Sequence, residues 1–278
     1  MLSTIKYFIY KNLLFGCFMG FLKGKKILVT GIYNERSIAL SIAKALYKQK
    51  AELSLVCQNK KIINKIKNLI QSMNISSIFS CDVSDDENIK ELFFNLKKIW
   101  NKFDGFIHAI AYCPKENMHK DFVENSTQES FNLTHQISSY SFLSMARESK
   151  HMLNKSSSLI TLSYLGSQRV LSHYGMMGLA KSSLESNIRY IAHSLGKKNI
   201  RVNGISCGPI KTISSYQIKN FCKIQKYHRS ISLIKNYITG HQIGNVAAFL
   251  CSNLSTGITG SIIYVDNGFN INIPNGII

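Results

Sequence analysis

Tyr174 and Lys181 stand seven positions apart in Tyr174-Gly175-Met176-Met177-Gly178-Leu179-Ala180-Lys181, and a second tyrosine, Tyr164, lies ten residues upstream. Seven residues is about two turns of an α-helix, so the spacing predicts that phenol and ammonium share one face. Such a pair suits a site in which a carbonyl-type substrate is reduced. The cation favours negative charge beside it, and the phenol can hydrogen-bond an oxygen that becomes anionic. Two ordinary side chains on one helix would give the same spacing, so the weight rests on the elements that position the pair.

Those elements read as a nucleotide site. Lys25-Lys26-Ile27-Leu28-Val29-Thr30 predicts a short buried strand ended by Gly31, and Ser37 to Leu46 predicts a helix with small residues on its packed side. A strand, a loop opened by glycine and a helix starting at serine are the parts of a phosphate cradle. Only Gly31 is a glycine in Gly31-Ile32-Tyr33-Asn34-Glu35-Arg36-Ser37, so the pattern is not G-x-G-x-x-G, and an ordinary strand-to-helix turn fits it about equally well.

Further strands are predicted at Glu52–Cys57, Ile75–Cys81, Phe103–Ile110, Ser157–Ser163, Ile200–Ser206 and Ser261–Asp266. Helical patterns lie between them, among them Asp85 to Trp100, Thr127 to His151 and Gly244 to Ser252. The alternation implies an α/β fold, a doubly wound parallel sheet with helices on both faces. Ligands bind such sheets at the carboxyl ends of the strands. Gly31, Gln58, Asp82, Ile110 and Ser163 all fall at strand ends, so the candidate residues converge on one edge.

At this point a resemblance becomes specific. The motifs are Gly31-x5-Ser37-Ile38-Ala39, Gln58-Asn59, Cys81-Asp82-Val83, Phe103 to His108 and Ser139-Tyr140-Ser141-Phe142. Others are Thr161 to Gly166, Met177 to Lys181, Gly208-Pro209-Ile210-Lys211-Thr212 and Ala247 to Ser252. The chain resembles an NADH-dependent enoyl-acyl-carrier-protein reductase of the bacterial type I, within the short-chain dehydrogenase/reductase superfamily, from about Met19 to Phe269. Ordinary members of that superfamily carry Tyr-x3-Lys, and the longer Tyr-x6-Lys spacing marks the enoyl reductases.

The resemblance implies reduction of a trans-2-enoyl thioester by NADH in the last step of each fatty-acid elongation cycle. Tyr174 would donate to the thioester oxygen, Lys181 would hold the nicotinamide ribose, and Tyr164 is the second tyrosine beside the thioester. A core tyrosine with a satisfied hydroxyl is the alternative for Tyr164. The cofactor would meet Gly31, Ser37 and Ile38 at the pyrophosphate and Gln58 near the adenosine ribose. Asp82 and Val83 would lie at the adenine, Ile110 would follow the fourth strand, and Ile210, Lys211, Thr212, Ile213 and Ser214 would surround the nicotinamide. The acyl substrate would lie against Cys113, Met177 and Phe221 beside the two tyrosines. Gln58 carries no charge to select between NADH and NADPH, and Lys60 and Lys61 follow it, so NADPH use stays open.

Four positions depart from the family pattern. Ala111-Tyr112 stand where Gly-Phe is usual, Cys113 replaces an alanine, and Asn267-Gly268-Phe269 replaces a Gly-Gly-Phe turn. Asparagine tolerates positive φ, so the last change keeps the turn. The stretch from Thr212 to Thr239 is read as irregular and resembles the family's substrate-binding lid; the alternative is a merely peripheral helix. On it, Lys219 and Lys223 match the basic rim that docks an acidic acyl carrier protein. The resemblance also implies a homotetramer, with the long helices from Thr127 and Tyr174 and the last strand near its two-fold axes.

Composition sets the remaining bounds. A chain of 278 residues with three prolines, no repeat and no long linker predicts one α/β domain over 19–278. Its seven cysteines form no C-x-x-C pair and its eight histidines give no metal-ligand spacing, so no metal site is expected and the thiols read as reduced, as in a cytoplasm. His108, ending an apolar strand, is expected to pack and not to ligate. The net charge of +19 is dispersed, without a nucleic-acid motif, and reads as lysine spread over a solvated surface. Nucleic-acid binding and steering of an acidic carrier protein are the other readings of that charge. A carbonyl reductase and a non-catalytic binding protein are the rival functions; the Tyr-x6-Lys spacing argues against the first and the intact pair against the second.

Met1 to Phe18 is apolar and aromatic, too short and interrupted to span a bilayer, which takes about 20 residues, so no membrane partner is expected. Two readings stand: a start codon assigned upstream of Met19, or a short surface or organelle-targeting segment, which would move the enzyme to an organelle stroma. Either way residues 1–18 are expected to lie outside the fold. A chain starting at Met19 should unfold at the same temperature as the full chain and keep its activity. A clearly lower melting temperature would show that the segment packs on the domain.

Overall fold

Seven strands pair side by side. The computed structural model describes residues 20–119, 121–171, 174–212, 215 and 220–272. Strands β1 (Lys26–Thr30), β2 (Glu52–Cys57), β3 (Ile75–Ser80), β4 (Phe103–His108), β5 (Leu153–Ser163), β6 (Arg201–Cys207) and β7 (Ile262–Val265) form one sheet in the order β3-β2-β1-β4-β5-β6-β7. Every pairing is parallel. The principal helices are α1 (Ile38–Lys48), α2 (Ile63–Leu69), α3 (Asp86–Lys97), α4 (Gln128–His135), α5 (Ser141–Ser149), α6 (Gly175–Gly196), α7 (Phe221–Ile231) and α8 (Gly240–Cys251).

Successive side chains of a strand point to opposite faces, and here each face has its own core. Ile27, Val29, Ile107, Ile160 and Ile205 pack on one side with Ile42 and Leu46 of α1 and Ile243 and Ala247 of α8. Leu28, Phe106, Leu159 and Val202 pack on the other with Leu92 of α3, Phe142 of α5 and Leu184 of α6. Burial on both faces is why the strands read as nearly continuous apolar runs.

The predicted sheet is present, with corrections at its edges. β5 begins at Leu153 and not at Ser157, because Leu153 pairs with Phe103 ahead of a register shift that the polar Asn154-Lys155-Ser156 disguises. β2 has the expected bounds, the remaining strand ends move by at most two residues, and Asp85 to Trp100 contracts to Asp86–Lys97 behind an Asp85 cap that accepts from Glu87 N at 2.9 Å. α8 starts four residues earlier than expected because Thr239 and Gln242 form a reciprocal capping box.

The helix expected from Thr127 to His151 is broken by a π-turn at Gln136–Tyr140. Its serines have other partners. Ser138 Oγ accepts from Tyr112 N at 2.9 Å, and Ser141 Oγ donates back to Ile137 O at 2.7 Å. Serines that bond outside or back along the ladder widen a helix locally. The stretch read as irregular holds α7, with Phe221 and His228 buried on its inner face. Asn267 takes φ +59 and Gly268 φ +76, as the asparagine-for-glycine exchange requires. Ile213, Ser214 and Lys219 lie outside the described residues, as do residues 1–18.

His108 is packed, as expected. It is fully buried, with Nδ1 3.0 Å from Thr161 Oγ1 and Nε2 2.8 Å from Ser141 Oγ. Burial, with a smaller push from Lys181, takes its pKa from 6.5 to about 3. The unfolded chain therefore takes up a proton near pH 6.5 that the folded chain refuses until about 3. Stability is full above 6.5 and falls with pH below it, by at most about 1.4 kcal/mol per pH unit for this group. Thermal unfolding followed from neutral to acid pH should decline less steeply in His108→Gln than in the native chain. Parallel declines would remove His108 as a cause.

Candidate active site

The chain leaves β1 and β4, neighbours in the sheet, toward opposite sides, which opens a crevice at their carboxyl ends. A cleft of about 1140 Å³ lies there. Gly31 forms its floor at φ +88, and a Cβ at that position would come within 2.1 Å of Ala109 O. Only glycine allows the loop to lie so close to the neighbouring strand. Ser37 Oγ turns back into the loop, accepting from Tyr33 N at 3.1 Å and Asn34 N at 3.0 Å, and makes no side-chain cap on α1. The N–H groups of Ile38 and Ala39 open the uncapped start of α1, which suits an anion, and Ser37 serves by shaping the loop. Gly31, Ser37 and Ile38 all line the cleft.

Gln58, Asp82, Val83 and Ile110 line the next part of the wall, so the strand-end residues meet as the sequence implies. Asp82 Oδ1 accepts from Ser84 N at 3.0 Å and Ser84 Oγ at 2.7 Å, which fixes the turn after β3. Ile210 and Thr212 line the opposite side; Lys211 is not among the lining residues.

Tyr174 does not sit within the helix, as the two-turn spacing suggested; it is the N-cap residue of α6 and Lys181 lies in the second turn. The two still converge on the cleft with Tyr164, which follows β5. The tyrosine rings meet edge to face, 5.1 Å between centroids and 72° between planes. Lys181 is 5 % exposed and donates from Nζ to Leu162 O at 2.8 Å. An ammonium has three donors, so one bond anchors it to β5 and leaves others for the cleft. Desolvation brings its pKa from 10.5 to about 8, against the opposing influence of Cys207 and Glu185. Burial pushes Tyr164 up to about 12, helped by Asp266, and raises Tyr174 well above the ordinary value, helped by Tyr164. At neutral pH the site thus presents two protonated phenols and one ammonium.

The far wall is apolar. Cys113, Met118, Met176 and Met177 cluster against Tyr174. Ser138 on the π-turn donates to Tyr112 O and accepts from Tyr112 N, both at 2.9 Å, which pins the Ala111–Cys113 loop. Helix α7 lies over the cleft, with Phe221 and His228 lining it. Gln225 Nε2 donates to Pro209 O at 3.0 Å, and His228 stacks on Phe269 at 4.4 Å. Ser138, His228 and Glu185 join the site without belonging to any motif of the sequence. Only Glu185 left a signal, a carboxylate four residues after Lys181 and therefore on its face of the helix. Among the described residues no group of His, Cys, Asp or Glu could hold a metal ion.

The family model described as Enoyl-(Acyl carrier protein) reductase matches residues 31–270. An enoyl-[acyl-carrier-protein] reductase [NADH] FabI of Buchnera aphidicola subsp. Schizaphis graminum is 72% identical over 94% of this chain and 100% of its own length. The Escherichia coli (strain K12) protein of the same name is 44% identical over 92% of this chain and 98% of its own. Among solved structures, the NADH enoyl-[acyl-carrier-protein] reductase of Aquifex aeolicus VF5 superimposes with a TM-score of 0.87 at 37% identity, covering 91% of this chain and 98% of that one. The Bacillus cereus enoyl-acyl carrier protein reductase, solved with NADP+ and indole naphthyridinone, gives 0.89 at 34% identity, covering 91% and 99%. With a matching family model over most of its length and relatives of this identity, the chain belongs to the enoyl-(acyl carrier protein) reductase family.

Proposed function

We propose that this protein reduces the carbon–carbon double bond of a trans-2-enoyl thioester on acyl carrier protein with NADH, and that Tyr174, Tyr164 and Lys181 carry the chemistry. The observation that bears most weight is a buried ammonium anchored under two protonated phenols in one cleft. The cleft suits a dinucleotide: the Gly31 close approach and the uncapped start of α1 make room for a pyrophosphate, and Gln58, Asp82 and Val83 line the adenosine end. NADH, when bound, supplies the hydride that adds to the β-carbon. Negative charge would move to the thioester oxygen as an enolate, where Tyr174 donates a hydrogen bond that strengthens as the charge grows, and a proton taken up at the α-carbon would complete the saturated thioester. Lys181 holds the nicotinamide ribose and adds positive potential, and Tyr164 stands edge-on behind Tyr174. The apolar wall of Cys113, Met177 and Phe221 receives the acyl chain and excludes water.

NADH is the cofactor named for the curated relatives, whereas the Bacillus cereus structure holds NADP+. Lys60 and Lys61 open the turn directly after Gln58-Asn59, which supports measuring both cofactors here. Lys223 lines the cleft, and its positive charge favours the approach of an acidic carrier protein from that side. No helix among the described residues is long and apolar enough to cross a membrane, and we place the enzyme in the cytoplasm. We read one domain over 19–278, with the lid around α7, and a symmetric tetramer. Phe131 of α4, Leu143 of α5 and Tyr190 of α6 are exposed apolar residues on the helices that would pair.

Tyr174→Phe should lower kcat by about a hundredfold with little change in NADH affinity, since it removes one donor to the developing oxyanion. Lys181→Ala should instead weaken NADH binding. In the native enzyme kcat/KM should fall as pH rises through about 8, where Lys181 loses its proton. Unchanged NADH affinity in Lys181→Ala, or a flat profile across that range, would remove Lys181 from this role. Light scattering at micromolar concentration should report a tetramer; a monomer would contradict the assembly.

A further inference from the structure

Glu185 is 4 % exposed, lies on α6 one turn beyond Lys181, and has no part in the chemistry described above. Buried carboxylates are rare unless neighbouring groups compensate them. Three do so here. Ser163 Oγ donates to Oε1 at 2.6 Å, Ser167 Oγ donates to the same oxygen at 2.5 Å, and Gln168 Nε2 donates to Oε2 at 3.2 Å. The three donors bracket the turn from Ser163 to Gln168.

That turn carries both tyrosines' geometry. Tyr164 is its second residue. Gly166 lies so close to the other phenol that a Cβ on it would come within 2.3 Å of Tyr174 Cδ1. Ser182, also on α6, donates to Ser167 O and ties the turn down a second time. A shift of the turn therefore moves Tyr164 directly and Tyr174 by contact.

We propose that Glu185 is the positioning residue of this site, anchoring the Ser163–Gln168 turn that sets both tyrosines and facing Lys181 with the buried negative charge. The proposal rests on the enoyl reductase reading. The titratable groups that face Lys181 are Glu185 from its own helix, the Cys207 thiol from β6 and the His108 imidazole from β4. Burial pushes Cys207 up to about 12 and His108 down to about 3, so both are neutral at working pH. Cys207 and Glu185 both oppose the loss of the Lys181 proton; with the thiol neutral, Glu185 supplies the standing negative charge, and it also favours a protonated Tyr174.

Glu185→Gln keeps the size and removes the charge; Glu185→Asp and Ser167→Ala keep the charge and weaken the anchor. Each is compared with the native enzyme on crotonyl-coenzyme A and NADH. Glu185→Gln should lower kcat about tenfold at nearly unchanged thioester KM. Its alkaline limb should move down by about one pH unit, because Lys181 loses its opposite charge. Glu185→Asp and Ser167→Ala should lower kcat several-fold and leave the limb in place. The idea fails if Glu185→Gln keeps kcat within about twofold with an unmoved limb, or if losses in kcat and melting temperature occur without any limb shift. Should Glu185→Gln not fold, Ser167→Ala and Gln168→Ala decide: unchanged kcat in both overturns the anchor. NADH affinity titrated against pH reads the charge of Lys181 without turnover. If the native enzyme leaves the thioester untouched, the enoyl reductase reading fails, while a lower midpoint in Glu185→Gln would still support the charge pairing and an equal midpoint would overturn it.

Discussion

The site depends on keeping an ammonium charged while it is out of water. Desolvating a cation costs several kcal/mol unless neighbours compensate it, and the pKa of Lys181 near 8 records how much of that cost is left uncompensated. The Leu162 carbonyl at the end of β5 accepts a hydrogen bond from it, so the ammonium is fixed to the sheet and not to a loop. The same strand end delivers Tyr164, and the start of the same helix delivers Tyr174. Strand β5 and helix α6 thus set one rigid triangle, and the remaining elements bring a dinucleotide and an acyl chain to it. The phenols, pushed upward by burial, remain donors across the pH range in which Lys181 titrates.

Much of this was legible in the residues because the physics involved is local. Apolar runs of five or six residues between amphipathic stretches specify a buried parallel sheet, and the strand ends then specify where a ligand goes. The Tyr-x6-Lys spacing carried the family, and the family carried the cofactor. Illegible were the features set by contacts far apart in the chain. Asn154-Lys155-Ser156 looks like a loop, yet β5 runs through it because Leu153 finds Phe103. The run of serines before Phe142 looks helical, yet Tyr112 and His108, some thirty positions away, draw the serine hydroxyls out of the helical pattern. The Tyr174–Lys181 spacing suggests one helix face, whereas the tyrosine is the N-cap residue of the helix and packs against the Gly166 turn.

The departures from the family pattern also acquire a structural sense. Asn267 adopts the positive φ that its turn needs and adds something a glycine would lack: its Nδ2 donates to Asn236 O at 2.7 Å, beyond the end of α7. Ile234 N donates to Asn267 O at 3.1 Å, so the turn and the segment after α7 are tied in both directions. Cys113 is buried among methionines, and burial raises its thiol, which leaves it a small apolar wall residue and not a nucleophile. The excess of lysine has no comparable local explanation. It is dispersed over exposed surface, and at Lys223 it reaches the rim of the cleft.

The central claim is that the buried ammonium and paired phenols serve a carbon–carbon double bond conjugated to a thioester, and not a ketone. Cofactor oxidation measured with crotonyl-coenzyme A against a panel of ketones, with NADH and NADPH in parallel, tests it directly. The geometry predicts rapid NADH oxidation with the enoyl thioester and none above background with the ketones. Oxidation driven by a ketone while the enoyl thioester stays inert would contradict it.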